Sequence, residues 1–248
     1  MTLSFGSVSS SVSSSVSDAA SSTVAAVRAA LATVLDPELD EPITDLGFVS
    51  EVGLSPDGVA HVGLRLPTFF CAPNFAFLMV ADAHDAVSAV PGVRAAAISL
   101  EGHHAAGEIN GGVAAGAGFV GTFAGEATAE LGELRRQFLT KAALAGQDRV
   151  ARPLVDTGAT PADLAATTLG DVPPSAELDR LRRRRRALGL PAGDGAPLLI
   201  RADGTGVPVE QVPLHLRRAR LTRTGIELNG EYCRGLLAAR YPAARNPA

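Results

Sequence analysis

Asp36-Pro37-Glu38-Leu39, continued by Pro42-Ile43-Thr44-Asp45-Leu46-Gly47-Phe48-Val49 and followed by Cys71, is the stretch on which the reading of this chain turns. Ahead of it, Val24, Val27, Leu31, Val34 and Leu35 fall at the three-and-four spacing of one buried helix face. Pro37 predicts the stop, because a residue preceding proline is pushed out of the helical region. Phe48–Leu54 and Val59–Leu66 then read as strands, joined by the turn chemistry of Ser55-Pro56-Asp57-Gly58. Ala60, Val62, Leu64 and Leu66 share one face of the second strand, and His61, Gly63 and Arg65 share the other. Asn74 to about Val90 predicts a helix with Phe75, Leu78, Met79 and Ala86 turned to the core. Pro91-Gly92 ends it, and Val93–Leu100 is a third strand. The expected fold class is α/β: a small α-β-β-α-β domain over residues 23–101, its helices on one face of a small sheet, followed by a mainly α-helical C-terminal region.

The flanking segments differ in kind. Residues 1–22 are rich in serine and carry too little apolar surface to offset the entropy of ordering, so a disordered tail is expected. Residues 102–125 are rich in Gly and Ala, which fits a connector or a glycine-faced helix that packs closely. No Gly-Lys-[Ser/Thr] ends that run, so no nucleotide is expected there. Residues 126–248 predict helices over Glu126–Ala145, from the Thr160-Pro161 cap to Leu169, from Pro173-Pro174-Ser175 to Leu188, and over Pro213–Arg240. Gly225 and Gly230 are candidate breaks in the last of these, and Leu198-Leu199-Ile200 a candidate short strand.

Composition excludes more than it assigns. The net charge of −4 gives no global attraction for nucleic acid or an anionic membrane. No apolar run approaches the ~20 residues of a bilayer span. The first basic residue is Arg28, so the start lacks the n-region of a secretory signal. Cys71 and Cys233 make no disulfide framework, and a reducing cytoplasm is the expected compartment. The one dense charge feature, Arg182–Arg186, goes round a helix instead of forming a stripe. With Arg217, Arg218, Arg220 and Arg223 it is a candidate phosphate-binding surface, but no base-stacking aromatics accompany it. An acidic partner or internal pairing is the favoured reading over DNA binding.

The acidic Asp-Pro-Glu motif, the Asp45-Leu46-Gly47-Phe48-Val49 stretch and the spaced cysteine together resemble the MIP18 family (the DUF59 domain) over about residues 23–101. Members of that family take part in iron–sulfur cluster assembly or in maturing metal-dependent proteins, and include an accessory protein of bacterial phenylacetate degradation. The resemblance implies Cys71 as thiolate ligand or transfer residue, Thr68 in the loop before it, and Asp36 and Glu38 in the acidic motif. This chain departs from the pattern at Asp40, where the family usually has glycine, and at Ala72, which separates Cys71 from Pro73.

Apart from that resemblance, a thiol at a helix N-terminus is placed where backbone N–H groups favour thiolate, the form that binds iron or zinc. The alternative is a small buried hydrophobe. Asp36 and Glu38 have an alternative role in capping backbone N–H groups. Glu101, His103 and His104 are additional candidate metal ligands, although adjacent residues of an extended chain point to opposite sides. An iron–sulfur cluster normally takes about four thiolates, so a cluster here would draw ligands from a second copy, in a homodimer, or from a client.

The function expected is therefore a non-enzymatic accessory factor. It would handle iron or a transient iron–sulfur cluster for a client metalloprotein such as a bacterial multicomponent oxygenase. The rival is an interaction subunit that kept the fold without metal chemistry, with an arginine-rich DNA-binding regulator third.

Overall fold

The computed structural model describes residues 10–242. They divide into two compact units. The first gathers residues up to Asp36, Glu41–Glu130 and the segment from Cys233 onward; the second holds Pro37–Asp40 and Leu131–Tyr232.

The first unit has the expected element order. Helix α1 (Ser10–Leu31) precedes strands β1 (Val49–Leu54) and β2 (Val59–Arg65), then helix α2 (Pro73–Ser88) and strand β3 (Ala95–Glu101). β1 and β2 are antiparallel across the Ser55–Gly58 turn, with a register shift between Val49 and Glu51. β2 and β3 are parallel, from Val59 beside Ala95 to Arg65 beside Glu101. A parallel pair needs a crossover, and α2 supplies it. The inner face carries Ala60, Val62, Leu64, Ile98 and Leu100, all buried. Val27 and Leu31 of α1 and Ala76, Val80, Ala83 and Val87 of α2 are buried with them. On the opposite face His61, Ser99 and Glu101 are exposed, so the helices cover one side of the sheet as the alternation predicts.

Three expectations for this unit change. The serine-rich stretch from Ser10 onward lies in α1 instead of a disordered tail, while residues 1–9 fall outside the described residues. The helix ends at Leu31, ahead of Pro37, and Leu35 leaves the buried face to form a bridge with Pro42. The Gly/Ala-rich segment is no open connector but two helices, α3 (Ala106–Ala114) and α4 (Gly118–Thr122). Ile109 and Val113 bury one side of α3. Asn110 donates to the Leu100 carbonyl at 3.2 Å and accepts from the Leu100 N–H at 2.8 Å, so a side chain takes the place of a further strand. Gly112 permits the close approach of α4, since a Cβ there would collide with Thr122.

The second unit is helical: α5 (Gly132–Asp156), α6 (Pro161–Ala166), α7 (Ala176–Ala187) and the Val212–Tyr232 part of α8 (Val212–Arg240). Thr160 and Asp163 form a reciprocal cap at the start of α6, and Ser175 caps α7, both where the sequence placed a helix start. Elsewhere the boundaries move. α5 starts later than expected and runs on to Asp156, with its buried residues between Ala142 and Ala151. Gly146 does not break it; a Cβ there would press on Leu181 and Arg184 of α7. α8 is unbroken at Gly225 and Gly230. Leu198–Ile200 is held by isolated bridges instead of a strand. Val150, Leu164, Leu169, Leu181, Leu198 and Leu199 centre the core.

The arginine run mostly serves the interior of this unit. Arg182 donates to the carbonyls of Leu169 and Ala192 and pairs with Asp194 at 2.7 Å. Arg184 forms a buried ion pair with Asp40. Arg185, fully buried, donates to the Pro197 and Leu198 carbonyls. Arg183 and Arg186 are the exposed members.

Candidate functional site

The loop from Leu66 to Ala72 joins β2 to α2 and carries Cys71. It leaves the sheet at the C-terminal end of β2, the end of a parallel β-α-β unit at which α/β folds commonly place their ligands. Ala72 is the N-cap residue of α2 and Pro73 its first helical residue, so Cys71 precedes the cap position. With Cys-Pro, the family pattern, the cysteine itself would occupy the cap. Here the inserted alanine brings no side-chain cap.

Four of the expected residues come together. Thr68 Oγ1 lies 3.3 Å from Cys71 Sγ and also accepts from the Phe70 N–H at 3.2 Å. His103 Nε2 is 2.7 Å from the Cys71 carbonyl, and its Nδ1 accepts from the Ala105 N–H at 3.1 Å. A carbonyl only accepts, so Nε2 carries the proton and the ring is neutral. Burial, above all, moves His103 below the ordinary histidine range; the bond to Cys71 opposes that shift, and His104 and Arg240 add to it. Both ring nitrogens of His103 are thereby engaged in holding backbone. His104 contributes its Nδ1 at 3.0 Å and its backbone N–H at 3.1 Å to the Phe69 carbonyl. Its ring is exposed, and with the proton on Nδ1 the Nε2 lone pair is left as an acceptor.

The two histidines do not point apart as in an extended chain. Gly102 turns the backbone after β3 with φ 58°, and the ring centroids lie 4.5 Å apart. His103 is buried. Glu101, by contrast, stands on the open face of the sheet, where Ser50 Oγ lies 3.5 Å away.

The acidic motif is placed separately. Asp36 is buried, and its N–H donates to the Glu41 carbonyl at 2.9 Å, closing the loop around Pro37. Glu38, in the second unit, accepts from Asn229 at 3.4 Å. Asp40 has φ 54°, the left-handed conformation that glycine takes without cost, and Asp is among the residues that tolerate it. The carboxylate gained with that replacement meets Arg184. Burial raises the Asp40 carboxyl, and the Arg184 charge pulls it back down.

Three contributors went unread in the sequence. Phe69 and Phe70 are 46% and 78% exposed, packed edge to face at 5.0 Å next to the thiol. A double phenylalanine in a chain with 4% aromatic residues was the available signal. Arg240, the last residue of α8, donates to the Leu66 carbonyl at 3.1 Å and to that of Gly102, tying the two loops at their roots. The Arg65 guanidinium lies 5.0 Å from the centre of the Tyr241 ring. Nothing local marks a terminal arginine for that task.

Chemically, the cluster offers one thiol, one hydroxyl and one open imidazole nitrogen. No group of three or more His, Cys, Asp or Glu side chains among the described residues is placed to hold a metal ion. Cys71 and Cys233 are not joined in a disulfide. The residues present therefore do not make up a ligand set for a resident cluster. No helix of the described residues is long and apolar enough to cross a membrane.

No curated protein matches the sequence. Among solved structures the chain is similar to a domain of unknown function, DUF59, from Bacillus anthracis, at 25% identity over 34% of this chain and 78% of that one, with a TM-score of 0.32. The family model described as iron–sulfur cluster assembly protein matches residues 24–100. Those residues, which include Cys71 and its loop, form an N-terminal domain of the iron–sulfur cluster assembly family.

Proposed function

We propose that the Leu66–Ala72 loop is the working surface of a cytoplasmic accessory factor in iron–sulfur cluster assembly, with Cys71 as the thiolate that takes and passes iron or a cluster. The observation that carries this reading is a half-buried thiol beside the Thr68 hydroxyl, its backbone carbonyl held by His103 and its loop carrying two exposed phenylalanines. The clamp fixes where the sulfur is presented, and Phe69 and Phe70 offer apolar surface of the kind that protein interfaces favour. The remaining ligands come from the client or from a second copy of this chain. No turnover chemistry is assigned. The client is an iron-dependent protein, and the sequence resemblance makes a multicomponent oxygenase the class to test first.

A second reading, an interaction subunit without metal chemistry, draws support from the single thiol and the absence of a complete ligand group among the described residues. Anaerobic ferrous-iron binding separates the two. The wild type and Cys233→Ala bind iron, and Cys71→Ala loses at least about tenfold in affinity, the effect of removing one charge-bearing ligand. Equal binding by all three rules out Cys71 as the ligand and leaves the interaction subunit.

A further inference from the structure

The second unit holds a cavity of about 340 Å³, open to solvent, that plays no part in the site around Cys71. That volume is at the lower end of the range typical for small-molecule sites. Thr140 and Gln147 of α5, Arg185 of α7, His215 and Arg218 of α8, and Arg201 from the preceding loop give its polar lining. Leu144, Leu188, Leu190 and Ile200 give it an apolar wall. No Asp or Glu lines it.

The three guanidinium groups are short of counter-charge. Arg201 donates to Thr205 and Gln211, both neutral. Arg185 donates to backbone carbonyls, its Nε has no partner, and it is fully buried. Among the described residues no carboxylate forms an ion pair with Arg185, Arg201 or Arg218. A buried cation without an anion is costly, and the cost falls if an anion enters. His215 reports the same field. Burial first, then Arg218, Arg185 and Arg201, shift it below the ordinary histidine range, and its Nε2–H donates to Gln147 Oε1 at 3.0 Å. That oxygen also accepts from the Ile200 N–H at 2.8 Å, so the neutral side of the lining is fixed in orientation.

We propose that this cavity is a binding site for a small organic anion, a carboxylic acid whose head group meets Arg185, Arg201 and Arg218 and whose apolar body lies against Leu144, Leu188 and Ile200. Arg201 and Arg218 are exposed and draw the anion in, while the buried Arg185 neutralises it at depth. The site stands independently of the role given to Cys71.

Isothermal titration calorimetry of the full chain with hexanoate and benzoate, their neutral amides hexanamide and benzamide, and inorganic phosphate tests this. At least one carboxylate should bind saturably, with its amide and phosphate at least about tenfold weaker. Arg201→Gln and Arg218→Gln, both at exposed positions, should each weaken the carboxylate about tenfold without moving the ligand-free melting temperature. The proposal is overturned if neither carboxylate saturates, if an amide or phosphate binds as well, or if both variants bind like the wild type.

Discussion

Arg240 donates to the carbonyls of Leu66 and Gly102, and Arg185 donates to those of Pro197 and Leu198, so a guanidinium fixes a loop in each unit. The loops differ in what the clamp achieves. In the first unit it anchors the roots and leaves Phe69 and Phe70 exposed with Cys71 half-buried. In the second it closes the loop, and Leu198, Leu199 and Ile200 are buried. Arg185 is itself fully buried, its pKa pushed down to about 10 by loss of water and by Arg182. The same donor thus presents one segment and seals the other, and the chain's single lysine shows how far arginine has taken over such work.

That contrast predicts unequal sensitivities. The greatest loss should come from the sealed side. Asp40→Ala leaves the Arg184 charge buried without its partner and should cost about 3–5 kcal/mol in urea denaturation. Asp40→Ala combined with Arg184→Met should recover much of that loss, because neither charge then remains; a double variant no better than the single would show that packing dominates. Arg185→Met should follow at about 3 kcal/mol, through unpaired carbonyls of the closed loop.

The presenting side should respond more in loop behaviour than in global stability. Arg240→Met should cost about 1–2 kcal/mol, and in a Cys233→Ser background it should speed alkylation of Cys71 by freeing the loop roots. An unchanged rate would mean the clamp does not govern access to the thiol.

His103 gives a pH-dependent term of definite sign. Its folded-state proton affinity lies below the ordinary value of 6.5, so the unfolded chain takes up the proton first as pH falls. Stability is held above about pH 6.5 and lost as pH drops toward the folded-state value. Protonation at Nδ1 also removes the acceptor for the Ala105 N–H. His215 shifts in the same direction, so the assignment needs a residue-resolved NMR titration. His103 titrating at or above 6.5 would contradict the buried neutral ring. The smallest effect on stability belongs to Phe70→Ala, within about 0.5 kcal/mol for an exposed site. The same variant should clearly reduce support for iron-dependent enzymes in cells.

The α-β-β-α-β order was legible because its signals are local. Ser55–Gly58 dictates a turn, Pro73 opens α2, and alternation from Ala60 to Leu66 predicts which side chains are buried. What escaped depends on partners remote in sequence. Leu35 fits a helical spacing yet forms a bridge with Pro42. Asn110 looks like any polar helix residue until it meets both backbone groups of Leu100. Gly112 fell in a segment that read as a connector, and Gly146 carried no signal at all, whereas each marks where another helix comes near. At the candidate site, the placement of Cys71 ahead of a helix was legible, but the holding of its loop by His103 and Arg240 required the third strand and the end of the last helix to arrive beside it. Internal pairing of the five consecutive arginines was an open reading of the sequence, but which of them are buried, Arg184 against Asp40 and Arg185 against backbone carbonyls, depends on partners that no charge count reveals.

The most direct test of the central claim is complementation of cells lacking this protein with the wild type, Cys71→Ala and Cys233→Ala, reading the activity and iron content of iron-dependent enzymes. Wild type and Cys233→Ala should restore both, and Cys71→Ala, expressed and folded to the same level, should fail. Full restoration by Cys71→Ala would contradict a working role for that thiol.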